Sequence, residues 1–165
     1  MPEIVLIIVF TISLLILRKT RGQYELALAA RIGMAAMLVV TGLAHFGFTK
    51  GMEMMLPDFL PFKRELVWIT GILELAAAAG LLLPKFTWLT GWLLIVFFVM
   101  ILPANIYGAM HHINLQTASY DGDGPGYLWF RVPLQLFFIA WVYLSAIRPE
   151  PAMRQPRLKK EQYRK

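Results

Sequence analysis

Six polar side chains stand inside otherwise apolar stretches of this sequence and carry most of its chemical potential: Arg31, His45, Glu74, Asn105, Arg131 and Gln135. An ionisable group at membrane depth costs about 3 kcal/mol or more unless it turns inward and finds a partner. A spacing of four residues along a helix puts two side chains on one face. It pairs Thr41 with His45, Thr70 with Glu74, and Arg131 with Gln135. Pro103, close before Asn105, and Pro133, between Arg131 and Gln135, each withdraw a backbone donor and free a carbonyl, which lipid tolerates only where protein or water supplies a hydrogen. These features predict one polar pocket in the outer half of a membrane bundle, holding His45, Glu74, Asn105, Arg131 and Gln135.

Such a set admits two roles. In one, Glu74 neutralises Arg131 or Arg31 as a structural ion pair while His45, Asn105 and Gln135 join helices through hydrogen bonds of ~0.6 kcal/mol each. In the other, the set grips a ligand or another protein's transmembrane segment. A lone acid and a lone histidine on different helices do not define a reaction, so no catalytic residue is assigned and the balance leans against an enzyme. A metal site is not expected either. The adjacent His111 and His112 point apart on a helix, and Asp121 and Asp123 would reach them only through loop folding. Met52, Met54 and Met55 suit soft copper(I), but methionines in such a loop read more simply as adaptable apolar packing.

The elements that must hold these residues follow from composition. Of 165 residues, 58% are hydrophobic and 16% charged, and the mean hydropathy is +0.60, more apolar surface than one soluble core hides. A span takes roughly 20 residues, so the chain is nearly all crossings. Its formal charge of +6 sits beside apolar runs, at Arg18 to Arg21 and from Arg148 to Lys165. That is a juxtamembrane pattern, not a nucleic-acid footprint. With no cysteine, thiolate metal sites, covalent haem attachment and thiol relays are excluded.

Ile4–Leu17 predicts a short first helix. A cleaved signal would place positive charge before the run, whereas here Glu3 precedes it and the basic residues follow. Spans are predicted over Glu25–Phe48, Leu66–Leu83, Trp88–Tyr107 and Tyr127–Ile147, with small residues (Ala29 and Gly33; Ala76 and Gly80) spaced for close packing. Lys50–Arg64 is too broken to span and predicts a lid over the outer mouth, with Leu56, Phe59 and Leu60 covered. Gly108–Gly126 is a polar loop. Arg18, Lys19, Arg21, Lys85 and the basic tail then share one side, against Lys50, Lys63 and Arg64 on the other. The positive-inside rule expects an outer N-terminus and a cytoplasmic C-terminus in the plasma (inner) membrane.

The blocks Gly42-Leu-Ala-His45-Phe46, Leu56-Pro57 to Leu60-Pro61, Thr70-Gly71 to Glu74 with Gly80 to Pro84, Pro103-Ala104-Asn105-Ile106, and Arg131-Val-Pro133-Leu-Gln135 are similar, in order and spacing, to those of the DoxX-like membrane proteins. The resemblance spans about Ala27 to Ile147 and implies a four-helix membrane bundle. It carries His45, Glu74, Asn105, Arg131 and Gln135 over as motif residues without assigning catalysts. Members of that family are associated with quinone-linked sulfur oxidation, with redox-defence enzymes and with receptor assembly, and these roles share no mechanism.

The expectation is therefore an all-α membrane protein. It comprises an added N-terminal helix and basic turn (residues 1–21), a four-helix transmembrane bundle (22–148) and a basic cytoplasmic tail (149–165). Its function is that of an accessory or chaperone-like protein binding a hydrophobic ligand or a partner's transmembrane segment; the alternative is a membrane subunit of a quinone-linked oxidoreductase. Beyond a bound lipid or quinone no cofactor is expected. The partners expected are the bilayer and another membrane protein or membrane-associated oxidoreductase.

Overall fold

The computed structural model describes residues 2–148; the basic tail expected from residue 149 lies outside them. Helices α1 (Pro2–Arg21), α2 (Leu26–Gly47), the short α3 (Thr49–Met54), α4 (Lys63–Leu82), α5 (Thr87–Met110) and α6 (Leu128–Val142) follow in order. A 3-10 turn (Gly124–Tyr127) leads into α6, and a π turn (Tyr143–Ile147) continues it.

Four helices are long and apolar enough to cross a membrane: α2, α4, α5 and the continuous stretch Gly124–Ile147. In cross-section α2, α4, α5 and α6 form a ring, with α4 and α6 on one diagonal and each packed mainly against its ring neighbours. Met34, Met37, Leu38, Leu81, Leu94, Phe98, Phe138 and Val142 fill the centre. Ile72, Leu73, Leu93, Val96, Met100, Leu136 and Leu144 are exposed on the outside. An outer shell of this kind suits a chain whose backbone polar groups are satisfied within helices and whose solvent is lipid.

The boundaries have local causes. Phe62, with φ of 54°, turns the chain into α4, and Leu83 is extended ahead of Pro84, as a residue before proline prefers. At the end of α5, His112 takes φ of 52°. It passes the Ile113 N–H to Gly108 O at 2.9 Å and donates its own N–H to Ala109 O at 3.2 Å. This is the left-handed helix stop usually given to glycine. The helix thus runs three residues past the expected Tyr107.

The added N-terminal helix is seated on the bundle. Leu6 is fully buried, the Phe10 ring meets Trp141 edge-on at 5.1 Å, and Trp141 Nε1 donates to Ala30 O at 3.0 Å. A Cβ on Gly33 would lie 2.8 Å from Leu6 O and 3.1 Å from Phe10 Cβ. Because the nearest obstacle is backbone, the contact cannot relax by a rotamer change. Gly33→Ile is expected to lower the stability of the detergent-solubilised chain by about 1–3 kcal/mol, read as a fall in the thermal midpoint. An unchanged midpoint would mean that α1 does not dock there.

One end of the bundle carries the α1–α2 connection and the α4–α5 hairpin. The other, the lid end, carries α3, residues 55–62 and the loop 111–123. There α3 interlocks with the loop, for a Cβ on Gly51 would collide with Leu115 O. Leu56 and Leu60 are half-buried. Phe59, expected to be covered, is 82% exposed. It sits at the tip between Pro57 and Pro61, where the chain turns away from the bundle.

Candidate functional site

The polar residues on α2 and α4 meet because glycine lets these two helices touch. A Cβ on Gly42 would lie 3.0 Å from Gly71 O, and one on Gly71 would lie 2.7 Å from His45 Cβ. At this crossing the Thr41 hydroxyl donates to Glu74 Oε2, and Glu74 is 5% exposed. The His45 ring keeps its Nδ1 2.9 Å from Thr41 O. Towards the lid end, the Thr49 hydroxyl donates to His45 O at 2.6 Å and accepts from Trp68 Nε1 at 3.2 Å. Thr41 and His45 on α2 and Thr49 at the start of α3 therefore form a polar stripe from the buried carboxylate to the bundle end.

The expected ion pair of Glu74 with Arg131 or Arg31 is corrected. Among the described residues no ion pair within 4.0 Å joins them. Arg31 lies ten residues, about 15 Å along α2, from Thr41. Its Nε donates to Ala27 O at 3.2 Å and its Nη1 to the Thr87 hydroxyl at 3.3 Å, so it fastens α2 to the α4–α5 hairpin. Arg131 is on α6, diagonal to α4. The group in hydrogen-bond contact with Glu74 is Thr41.

On α6, Gln135 is 2% exposed and its Nε2 donates to Phe98 O at 2.6 Å, joining α6 to α5. The other side of that amide, Oε1, is buried without a hydrogen-bond partner, and so is Arg131 Nε one turn away. Buried polar atoms are nearly always satisfied, so one helix face keeps an unmet donor and an unmet acceptor with hydrogen-bonding capacity to spare. Asn105 donates to Ile101 O of its own helix at 3.0 Å and no described hydrogen bond brings it to the others. The described hydrogen bonds thus join Thr41 to His45 and Glu74 between α2 and α4, and Gln135 to α5, and none links these groups to each other, to Arg131 or to Asn105.

His111 stacks on Tyr107 with ring centroids 4.0 Å apart, while the His112 ring packs against Gly124, so the two histidines diverge. Among the described residues no three His, Asp or Glu side chains gather to hold a metal. At the lid end, Arg64 Nε donates to Glu53 Oε1 at 2.9 Å and Lys63 Nζ to Asp58 Oδ1 at 2.8 Å. The Lys63 hydrogen bond and charge hold the Asp58 carboxyl below the usual carboxylate range, with a smaller contribution from His111. That contribution to lid stability is present at neutral pH and is lost as pH falls through the lowered value.

Glu53, Asp58, Lys63, Tyr107 and Tyr120 surround a cavity with His111. None of these five was singled out from the sequence as a site residue. They come from separate segments with ordinary interfacial composition, and only the apolar residues and prolines of Lys50–Arg64 hinted at an ordered lid.

No curated protein and no solved structure matches this chain. The model of one family does match, over residues 34–146. That stretch runs from the middle of α2 to the π turn and leaves α1 outside it. The chain, with its glycine-packed α2–α4 crossing and its unmet Arg131–Gln135 face, belongs to the family described as a domain of unknown function (DUF8561).

Proposed function

We propose that the chain is an accessory, non-catalytic membrane protein that holds an amphipathic molecule by its polar head against Arg131 and Gln135. The observation that carries this reading is the pair of buried, unmet atoms, Arg131 Nε and Gln135 Oε1. The head must accept a hydrogen bond from the guanidinium and donate one to the amide oxygen. A carbonyl alone supplies only the first. A hydroxyl supplies both, which brings in lipids with free hydroxyls and quinols. The same requirement favours a second reading, a membrane subunit of a quinone-linked oxidoreductase, in which electrons travel on a partner because this chain has no cysteine to ligate a cluster.

The motif blocks support a relationship to the DoxX-like proteins, and the basic asymmetry supports a plasma-membrane protein with the lid end outside and the C-terminus in the cytoplasm. The chaperone-like binding of a partner's transmembrane segment draws on the same face.

Mass spectrometry of lipids and quinones extracted with the detergent-purified chain tests the reading. One species is expected to be enriched over the bulk membrane extract, and to fall at least about tenfold in Arg131→Gln, a loss of ~1.4 kcal/mol. Gln135→Leu is expected to reduce it as well. An extract identical to bulk membrane lipid overturns the ligand reading. An enriched quinone favours the second reading over the first.

A further inference from the structure

Against the lid, outside the α2–α4 crossing and the Arg131–Gln135 face, lies an open cavity of 360 Å³ whose polar lining is Glu53, Asp58, Lys63, Tyr107, His111 and Tyr120. It mixes two carboxylates with the Lys63 ammonium. Glu53 and Asp58 each use one carboxylate oxygen on Arg64 and Lys63, and the second oxygen of each has no described hydrogen bond. The stacked Tyr107–His111 rings form a flat wall. Neither tyrosine hydroxyl makes a described hydrogen bond, and the one bond to the His111 ring is at Nδ1, with Tyr107 O. The cavity thus offers donors for an anion (the Lys63 ammonium, two hydroxyls and the imidazole) next to acceptors for a cation bearing N–H groups.

Beside it the lid exposes two aromatic rings, Phe59 at 82% and Phe62 at 74%. Bare phenylalanine rings at the end of a membrane bundle suit the boundary between headgroups and acyl chains, next to the zwitterionic heads of the lipids. We propose that the lid cavity binds the headgroup of a zwitterionic phospholipid with a primary ammonium, its phosphate facing Lys63, His111, Tyr107 and Tyr120 and its ammonium facing Glu53 and Asp58. Phe59 and Phe62 then sit among the acyl-chain ends nearest the headgroups and hold the cavity mouth at the right depth.

Native mass spectrometry of the full chain, titrated with phosphatidylethanolamine, phosphatidylcholine or phosphatidylglycerol, tests this. Phosphatidylethanolamine is expected to be retained about tenfold more tightly than either of the others. Choline has no N–H to donate, and phosphatidylglycerol has no ammonium. Glu53→Gln combined with Asp58→Asn is expected to erase the preference over phosphatidylcholine. Tyr107→Phe, which keeps the ring stack and removes one donor, is expected to weaken phosphatidylethanolamine retention roughly threefold. Equal retention of all three lipids, or a preference for phosphatidylglycerol, overturns the proposal, as does a preference that survives the double change. Free phosphoethanolamine that binds as tightly as the lipid overturns the lipid source and assigns the cavity to a soluble zwitterion. The species co-extracted with the purified chain reports on the Arg131–Gln135 face and the preference among added phospholipids reports on the lid cavity, so failure here and failure of the intramembrane reading are separable.

Discussion

Glu74→Leu is expected to cost the detergent-solubilised bundle about 1.5–3 kcal/mol, because it removes the carboxylate that accepts from the Thr41 hydroxyl at the α2–α4 crossing and leaves that hydroxyl facing an apolar side chain. Glu74→Gln keeps the shape and a carbonyl acceptor, so its cost is expected to be smaller, about 0.5–1.5 kcal/mol.

Double-mutant cycles separate the two partners. Thr41→Val with Glu74→Gln is expected to show a coupling of about 0.5–3 kcal/mol, as for residues in contact. Arg131→Gln with Glu74→Gln is expected to couple more weakly, since no ion pair within 4.0 Å joins them. Denaturant unfolding of the four variants supplies the values. A cycle in which Arg131 couples to Glu74 more strongly than Thr41 does would place the charges in contact and reverse the assignment.

How much of this was legible in the sequence depends on the distance over which each feature is determined. The four spans follow from apolar runs bounded by Pro84, Lys85, Gly126 and Arg148, and a run is read locally, so their existence and order were recoverable to within a few residues. Glu74 and Gln135 stood out as candidates because a polar residue in an apolar run needs a buried partner. Which partner each takes was not legible. A positive charge on another helix attracts attention in a one-dimensional reading, whereas the register at the Gly42–Gly71 crossing brings Thr41 to Glu74 and leaves Arg131 across the diagonal.

The lid illustrates the same limit from the other side. Its prolines and methionines announced an ordered segment, and Leu56 and Leu60 turn partly inward, but alternation in so short a loop cannot say which apolar residue faces lipid, and Phe59 faces outward. The cavity against it gathers residues separated by more than fifty positions, from Glu53 to Tyr107 and Tyr120. Each of them alone reads as an ordinary interfacial side chain.

The Gly42–Gly71 crossing yields the second large effect. A Cβ on Gly71 would lie 2.7 Å from His45 Cβ, 3.0 Å from Gly42 O and 3.2 Å from His45 Cγ, so two of its three nearest obstacles belong to one side chain and the third is backbone. Gly71→Ala is expected to destabilise the bundle by about 1–3 kcal/mol. Gly71→Leu should exceed this, because α4 must move bodily away from α2. That movement also pulls Glu74 off Thr41. The cost of Glu74→Gln measured on top of Gly71→Leu should therefore shrink towards the value for a carboxylate that has already lost its hydroxyl donor. His45→Gly removes both side-chain obstacles and is expected to restore part of what Gly71→Ala loses, while Gly42 O keeps the rescue incomplete. Thermal unfolding of the single and paired variants decides the matter. If Gly71→Leu leaves the Glu74→Gln cost unchanged, the Thr41–Glu74 hydrogen bond does not depend on close approach of the two helices, and the polar stripe is positioned by something other than the glycine crossing.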